Sequence, residues 1–284
     1  MTDPRDLFAT YVRQRVALGE RALFLERQRP VEHQAPAKPA DSPLRDLARE
    51  ANSPRDPGPR PRAEPRARKA DWRRDAPPIP PPGIVIPTPA EDLFTSDPVR
   101  GATLEKIASL VRECRKCALC EGRRNAVPGE GPPEARLVVV GEGPGATEDE
   151  TGRPFVGRAG ELLTEILAAI ELPRERVFIC NIVKCRPPNN RRPQQDEIDA
   201  CVPYLYAQLA HIRPAVIVAM GGTAAETLLN TKQSLASLRN RVHSFRGTPL
   251  IVTYHPAALL RNPHWKKPTW DDVRIARQLL DAHA

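Results

Sequence analysis

Six cysteines occur in the chain, and none lies in its first hundred residues. Three are packed as Cys114-Arg-Lys-Cys117-Ala-Leu-Cys120, and the others are Cys180, Cys185 and Cys201. A C-x2-C turn aims two thiolates at one centre, and a distant pair can close the ligand set. In a reducing compartment such clustering favours metal binding over disulfides. A second group of reactive types is spread over glycine-rich or proline-rich segments. Gly141-Glu142-Gly143-Pro144-Gly145 opens a long loop that runs through Glu148 and Phe155 to Gly157. Asn181 precedes Ile182-Val183-Lys184-Cys185, and Tyr254-His255-Pro256 precedes Leu259-Leu260-Arg261.

Each of these residues has a functional and a structural reading. Glycines let backbone N–H groups approach a ligand closely. Glu142 makes the loop a poor phosphate cradle but a place to hold water or a developing cation. A dinucleotide-binding pattern does not fit, because Pro144 interrupts it and no helix is expected to start at once. No Gly-Lys-Ser/Thr ending marks a nucleoside-triphosphate loop either, which argues against a nucleotide-dependent metal enzyme. Phe155 either stacks on a flat ligand or packs under its loop. The Asn181 amide offers a donor and an acceptor, which suits a nucleobase edge, or else a bond to neighbouring backbone. His255 stands where catalytic imidazoles often sit, although a lone histidine is more often structural. Leu259 and Leu260, beside Arg261, read as an apolar wedge able to enter a DNA base stack.

The elements that must position these groups follow from apolar periodicity. Residues 136–140, 177–183, 215–219 and 249–253 are short apolar, β-branched runs and read as buried parallel strands. Helical patterns fall at 160–170, 194–211, from Thr223, and at 270–282. Strands alternating with helices predict a three-layer αβα fold around a mostly parallel, four-stranded sheet. Ligands of such sheets bind beyond the carboxyl ends of the strands. That rule selects the four loops after Val140, Val183, Ala219 and Thr253, three of which carry unusual polar chemistry.

The folded domain is expected over 103–284, where Leu104, Ile107 and Val111 start a helix leading into the cysteine turn. Residues 5–29 read as a separate helix within an N-terminal segment 1–29. Between them, 30–102 is rich in proline and charge. It is expected to be a disordered tether with local polyproline II, and a candidate docking segment for an unidentified protein. The chain has 284 residues, 33 of them proline, and a net charge of +8. Basic balance favours contact with phosphates. No apolar run reaches membrane-span length and no export signal is visible, so a cytoplasmic protein without membrane contact is expected.

Taken in order, these motifs resemble the family 4 uracil-DNA glycosylases, the bacterial and archaeal enzymes that carry an iron–sulfur cluster. The likeness runs from Glu113 to Ala282 and rests on four segments. These are Gly141–Gly145, Thr151-Gly152-Arg153-Pro154-Phe155-Val156-Gly157, Asn181–Pro188, and His255–Pro263, with C-x2-C ahead and C-x15-C overlapping the third. The resemblance implies Cys114, Cys117, Cys185 and Cys201 as ligands of a [4Fe–4S] cluster, although zinc fits the spacing equally. Cys120 falls where the family varies, and Cys180 would be an ordinary buried thiol. Ala146 and Thr147 stand where the family carries acidic residues.

The implied activity is hydrolysis of the N-glycosidic bond of deoxyuridine in single- or double-stranded DNA by a nucleoid-associated monomer. Glu142 and His255 would be catalytic, the first toward the sugar and its water, the second toward the uracil oxygen with backbone near Gly143. Phe155 would stack on uracil, Asn181 would read its edge, and Glu148 would shape the wall near C5. Leu259, helped by Leu260 and Arg261, would fill the vacated stack. A related group that traps DNA covalently uses a histidine in an inserted basic loop. Only 15 residues separate Cys185 from Cys201, and Gly143 carries no bulk, so that reading is disfavoured.

Overall fold

The computed structural model describes residues 71–89, 99 and 101–283, which lie in one compact unit, Pro65–Ala284. The helix expected at 5–29 lies outside the described residues. A six-stranded sheet comprises β1 (Pro82–Ile86), β2 (Leu137–Gly141), β3 (Val177–Asn181), β4 (Val216–Met220), β5 (Val242–Phe245) and β6 (Thr248–Thr253). The strand order is β1-β5-β6-β4-β2-β3. The four strands read from the sequence are β2, β3, β4 and β6, and they pair in parallel. β5 joins them antiparallel to β6 and carries β1 alongside it in parallel.

Both faces of the central strands are buried, which is why their sequences are continuously apolar. Because side chains alternate across a strand, Val138 and Val140 enter one core with Ile107, Leu205 and Leu228. Leu137 and Val139 enter the other core, with Leu163, Leu167 and Ile275. The helices are α1 (Leu104–Glu113), α2 (Leu119–Gly122), α3 (Ala146–Thr151), α4 (Arg158–Ala169), α5 (Gln195–Ile212), α6 (Gly222–Leu229), α7 (Leu235–Leu238), α8 (Pro256–Arg261) and α9 (Lys266–Ala282). α1, α5 and α6 cover the first face, and α4 and α9 the second. The result is the three-layer αβα arrangement, two strands wider than the four expected.

Two local features depart from the sequence reading. α3 begins five residues after β2 ends, a short helix that the apolar periodicity does not predict. Its start is stabilised by Glu148, whose carboxylate accepts the Gly145 N–H at 3.1 Å, and Gly152 closes it at φ 71°. The second departure is in the proline-rich stretch. Residues 71–89 pack on the domain: Trp72 is 3% exposed in the core beside α9. Arg274 donates to the Asp75 carbonyl (2.9 Å) and Gln278 to that of Pro77 (2.9 Å). β1 then extends the sheet. Here Ile84 N–H donates to His243 Nδ1 at 2.9 Å, and a Cβ on Gly83 would stand 2.5 Å from that nitrogen. His243 also bonds the Leu238 carbonyl (2.7 Å), tying this strap to α7.

Candidate active site

The carboxyl ends of β2, β3, β4 and β6 open onto a cavity of about 660 Å³. Its lining brings together Glu142, Gly143, Glu148, Phe155, Asn181 and His255, with Arg261 at the rim. This is the volume of a small-molecule pocket, placed where parallel sheets bind ligands.

Glu142 leaves β2 on a rigid backbone. Ile182 N–H donates to the Gly141 carbonyl (2.9 Å) and Val183 N–H to that of Glu142 (3.1 Å), so the ladder continues past the strand ends. Thr223, buried in the first turn of α6, donates its hydroxyl to Glu142 Oε2 at 2.5 Å. The sequence reading missed Thr223; its signal was a hydroxyl at a helix start just after Gly221-Gly222.

Asn181 ends β3 and is 1% exposed, with its Oδ1 buried and without a hydrogen-bond partner. Such an atom costs about 1–3 kcal/mol, so a cavity-lining one is a site for a donor to come. Gly141 lies opposite it in the sheet. A Cβ there would come 2.4 Å from Asn181 Oδ1 and 2.5 Å from the Phe155 ring, so only glycine lets the three meet.

Phe155 is held in a left-handed conformation, φ 51°, and is buried. That backbone is strained for a non-glycine residue, at a cost of order 1–3 kcal/mol. Three contacts offset it. Glu148 Oε1 accepts the N–H groups of Val156 (2.9 Å) and Gly157 (3.0 Å). Arg174 donates to the carbonyls of Phe155 and Pro154. Gly160 admits the turn, since a Cβ there would lie 1.9 Å from the Phe155 carbonyl oxygen. Glu148 lines the cavity, and its carboxylate fixes the loop that carries Phe155.

His255 lies against Phe155, ring centroids 5.3 Å apart and planes inclined by 30°. It caps α8: its Nδ1 accepts the Ala257 N–H at 3.2 Å. A neutral imidazole with an accepting Nδ1 carries its proton on Nε2. Burial, reinforced by the nearby Arg261 charge and opposed by Glu148, lowers the His255 pKa to about 4. At neutral pH the ring is therefore an uncharged donor.

The structure separates the two leucines expected to act together as a wedge. Leu259 is 1% exposed, whereas Leu260 is 41% exposed. Successive helical residues point about 100° apart, so α8 buries Pro256 and Leu259 on one face and turns Leu260 outward. Leu259 is a core residue, and Leu260 is the exposed one of the two, next in the chain to Arg261 of the cavity lining.

Cys114, Cys117, Cys185 and Cys201 line a second, small cavity, together with Cys120. Cys180 lies fully buried elsewhere. Among the described residues no group of three His, Cys, Asp or Glu side chains is arranged to hold a metal ion. The sulfurs nonetheless receive donors: Arg123 Nη1 lies 2.9 Å from Cys185 Sγ, and the Lys184 N–H lies 3.2 Å from Cys201 Sγ. Burial pushes the Cys201 thiol up to about 12 and also raises Cys185 and Cys117, so bound metal would have to displace protons. Lys184, 1% exposed, connects the two cavities by donating to the Asn181 carbonyl and to Gln208 Oε1, both at 2.8 Å.

No helix among the described residues is long and apolar enough to cross a membrane. The uracil DNA glycosylase superfamily model matches residues 128–276. A type-4 uracil-DNA glycosylase of Thermotoga maritima is 49% identical over 185 residues, covering 64% of this chain and 96% of its own. One from Pyrobaculum aerophilum is 46% identical over 168 residues, covering 56% and 86%. A type-5 uracil-DNA glycosylase of Thermus thermophilus is more distant, at 34% over 153 residues, covering 45% and 68%. With its cavity, its ordered motifs and relatives matched over most of their length, this chain belongs to the uracil-DNA glycosylase superfamily and to its type-4 family.

Proposed function

We propose that this chain excises uracil from DNA, hydrolysing the bond between N1 of the base and C1′ of deoxyribose and leaving an abasic site. The observation that carries the reading is the buried, unpartnered Asn181 Oδ1 in a cavity walled by the Phe155 ring. An acceptor there takes the N3–H of uracil. Cytosine has no hydrogen at that position and is left unpaired. A buried polar group without its partner discriminates far more strongly than a lost apolar contact.

The base reaches the cavity only when its nucleotide is rotated out of the stack, and the exposed Leu260, beside Arg261 of the cavity lining, would fill the gap. As the C1′–N1 bond breaks, its electron pair passes to uracil, and the sugar becomes cationic. The neutral His255 Nε2–H donates to the uracil oxygen on which charge grows, with backbone at Gly143 alongside. Glu142, oriented by Thr223, faces the sugar, and water adds to C1′ while its proton passes to the carboxylate. A preorganised donor of this kind contributes about 10²–10³ in rate.

Cys114, Cys117, Cys185 and Cys201 fit a [4Fe–4S] cluster by their chemistry: all four line one cavity, with Cys120 a fifth thiol there, and Arg123 and the Lys184 amide supply donors to sulfur. A cluster there would tie α1, the turn after it and α5 together rather than take part in hydrolysis. We place the protein's work on chromosomal DNA in the cytoplasm, as a monomer.

The test uses matched oligonucleotides, single-stranded and duplex, bearing uracil or thymine, with alkali after incubation. Uracil-dependent breaks are expected, and Asn181→Asp should lose discrimination against cytosine. No uracil-dependent break with freshly purified protein would defeat the reading. Iron and acid-labile sulfide, assayed anaerobically on wild type and Cys185→Ala, decide the cluster.

A further inference from the structure

Four large apolar side chains are more than a third exposed among the described residues: Ile79, Val85, Leu260 and Trp265. Trp265 lines the active-site cavity, and Leu260 lies five positions before it on α8. Trp265 is 36% exposed. Its ring lies parallel to that of Tyr254, centroids 4.6 Å apart and planes within 4°. The Arg239 guanidinium lies 4.6 Å from the Tyr254 ring centroid. Arg239 is itself fixed, with Nε 2.7 Å and Nη2 3.0 Å from the two oxygens of Asp272 and Nη2 3.0 Å from the Pro268 carbonyl. Asp272 is 1% exposed and accepts the hydroxyl of Thr253, two residues before His255, at 2.7 Å. A stack of Arg239, Tyr254 and Trp265 is thereby rooted in a buried ion pair beside the catalytic histidine.

A tryptophan needed only to join α8 to α9 would bury its ring. This one is held flat and left open at the rim of a pocket that takes one base. We infer that Trp265 is a stacking platform for a nucleobase adjacent to the flipped nucleotide, an inference that rests on the uracil-DNA reading above. The ring is preorganised by Tyr254, so little ordering cost remains when a base settles on it. A planar, uncharged base matches an aromatic face without hydrogen-bond demands, so the platform accepts any neighbouring base. Trp265 does not touch the scissile bond; it is a binding residue, and its loss falls on affinity.

Base–aromatic stacking predicts about a five- to hundredfold rise in KM for Trp265→Ala, read on single-stranded uracil oligonucleotides. Trp265→Phe restores most of it, because a smaller aromatic face remains. The full-length protein is also titrated with a single-stranded abasic oligonucleotide while tryptophan fluorescence is followed. Quenching is expected in wild type and absent in Trp265→Phe, where Trp72 and Trp270 remain. Wild type that excises uracil but shows no Trp265-dependent quenching overturns the platform alone. So does a Trp265→Ala variant with unchanged KM, or one whose loss falls on kcat. If Trp265→Ala melts below the assay temperature, the Phe variant and the quenching decide. Wild type that releases no uracil overturns the underlying function instead.

Discussion

Glu148 offers the sharpest test, because its carboxylate holds the loop of the candidate site through backbone N–H groups. It accepts three N–H groups: Gly145 at 3.1 Å, Val156 at 2.9 Å and Gly157 at 3.0 Å. Hydrogen bonds to a charged group contribute about 1.5–3 kcal/mol each when isolated, and less when they share one partly exposed acceptor. Glu148→Ala should therefore cost about 2–4 kcal/mol. At about 2–4 °C per kcal/mol for a domain of this size, the melting temperature should fall by roughly 4–16 °C. Glu148→Gln keeps the oxygen that serves Val156 and Gly157 but turns an NH₂ toward the Gly145 N–H, and should cost about 1–2 kcal/mol. Glu148→Ala also frees Phe155 from φ 51°, a strain of order 1–3 kcal/mol that the bonds from Val156 and Gly157 to Glu148 offset. The ring then leaves the His255 face, so excision falls with stability. The assay is a double-mutant cycle with Phe155→Ala, read in thermal melts and in single-turnover excision below both melting points. Coupling in the rate is expected, since both changes remove the same ring. An unchanged melting temperature in Glu148→Ala, or rate losses that multiply independently, would refute the reasoning.

Three further outcomes are expected. His255 has a folded pKa of about 4 against an unfolded value near 6.5, so between those values the unfolded chain binds the proton and the folded one does not. Stability should fall as pH drops from about 6.5 to 4, and His255→Asn should flatten that slope in urea titrations; an unaltered slope contradicts it. Leu259→Ala should lose about 2–5 kcal/mol as a core truncation, whereas Leu260→Ala should melt normally and lose excision on duplex DNA. Denaturant titration with duplex kinetics separates the two, and the reverse pattern would restore Leu259 as the wedge. Trp72→Ala should cost about 3–5 kcal/mol in chemical denaturation, because its ring is buried under α9; a neutral result would mean the strap adds nothing to the domain.

The central strands were legible because burial on both faces leaves a continuous apolar record in β2, β3 and β4. β1 was not, since Gly83–Ile86 sits between prolines and its partner β5 lies some 160 residues away in the chain. Proline at a strand's first residue is compatible with an edge, which composition alone reads as tether. β5 alternates partly and fully buried residues over only four positions, too short a record to read. In the site, Glu142, Phe155, Asn181 and His255 were visible as unusual residue types at strand ends. Their partners Thr223 and Arg174 were not, because each meets its target through a contact made only on folding. The exchange between Leu259 and Leu260 turned on a 100° difference in direction within a six-residue helix, which two adjacent leucines do not reveal.

The segment from Asn181 to Cys185 has an amide lining one cavity at one end and a thiol lining the other at its far end, with Lys184 bonded across it to Gln208. Gln208 in turn donates to the Pro128 carbonyl at 2.8 Å. There is no slack in five residues pinned at both ends. Under the proposed function, base selection at Asn181 and the packing of the cysteine cavity are therefore mechanically linked in this chain. A change that retunes which base is accepted must be tolerated by the cysteine side, and a chain that discarded its cysteines would have to rebuild the support behind Asn181 at the same time.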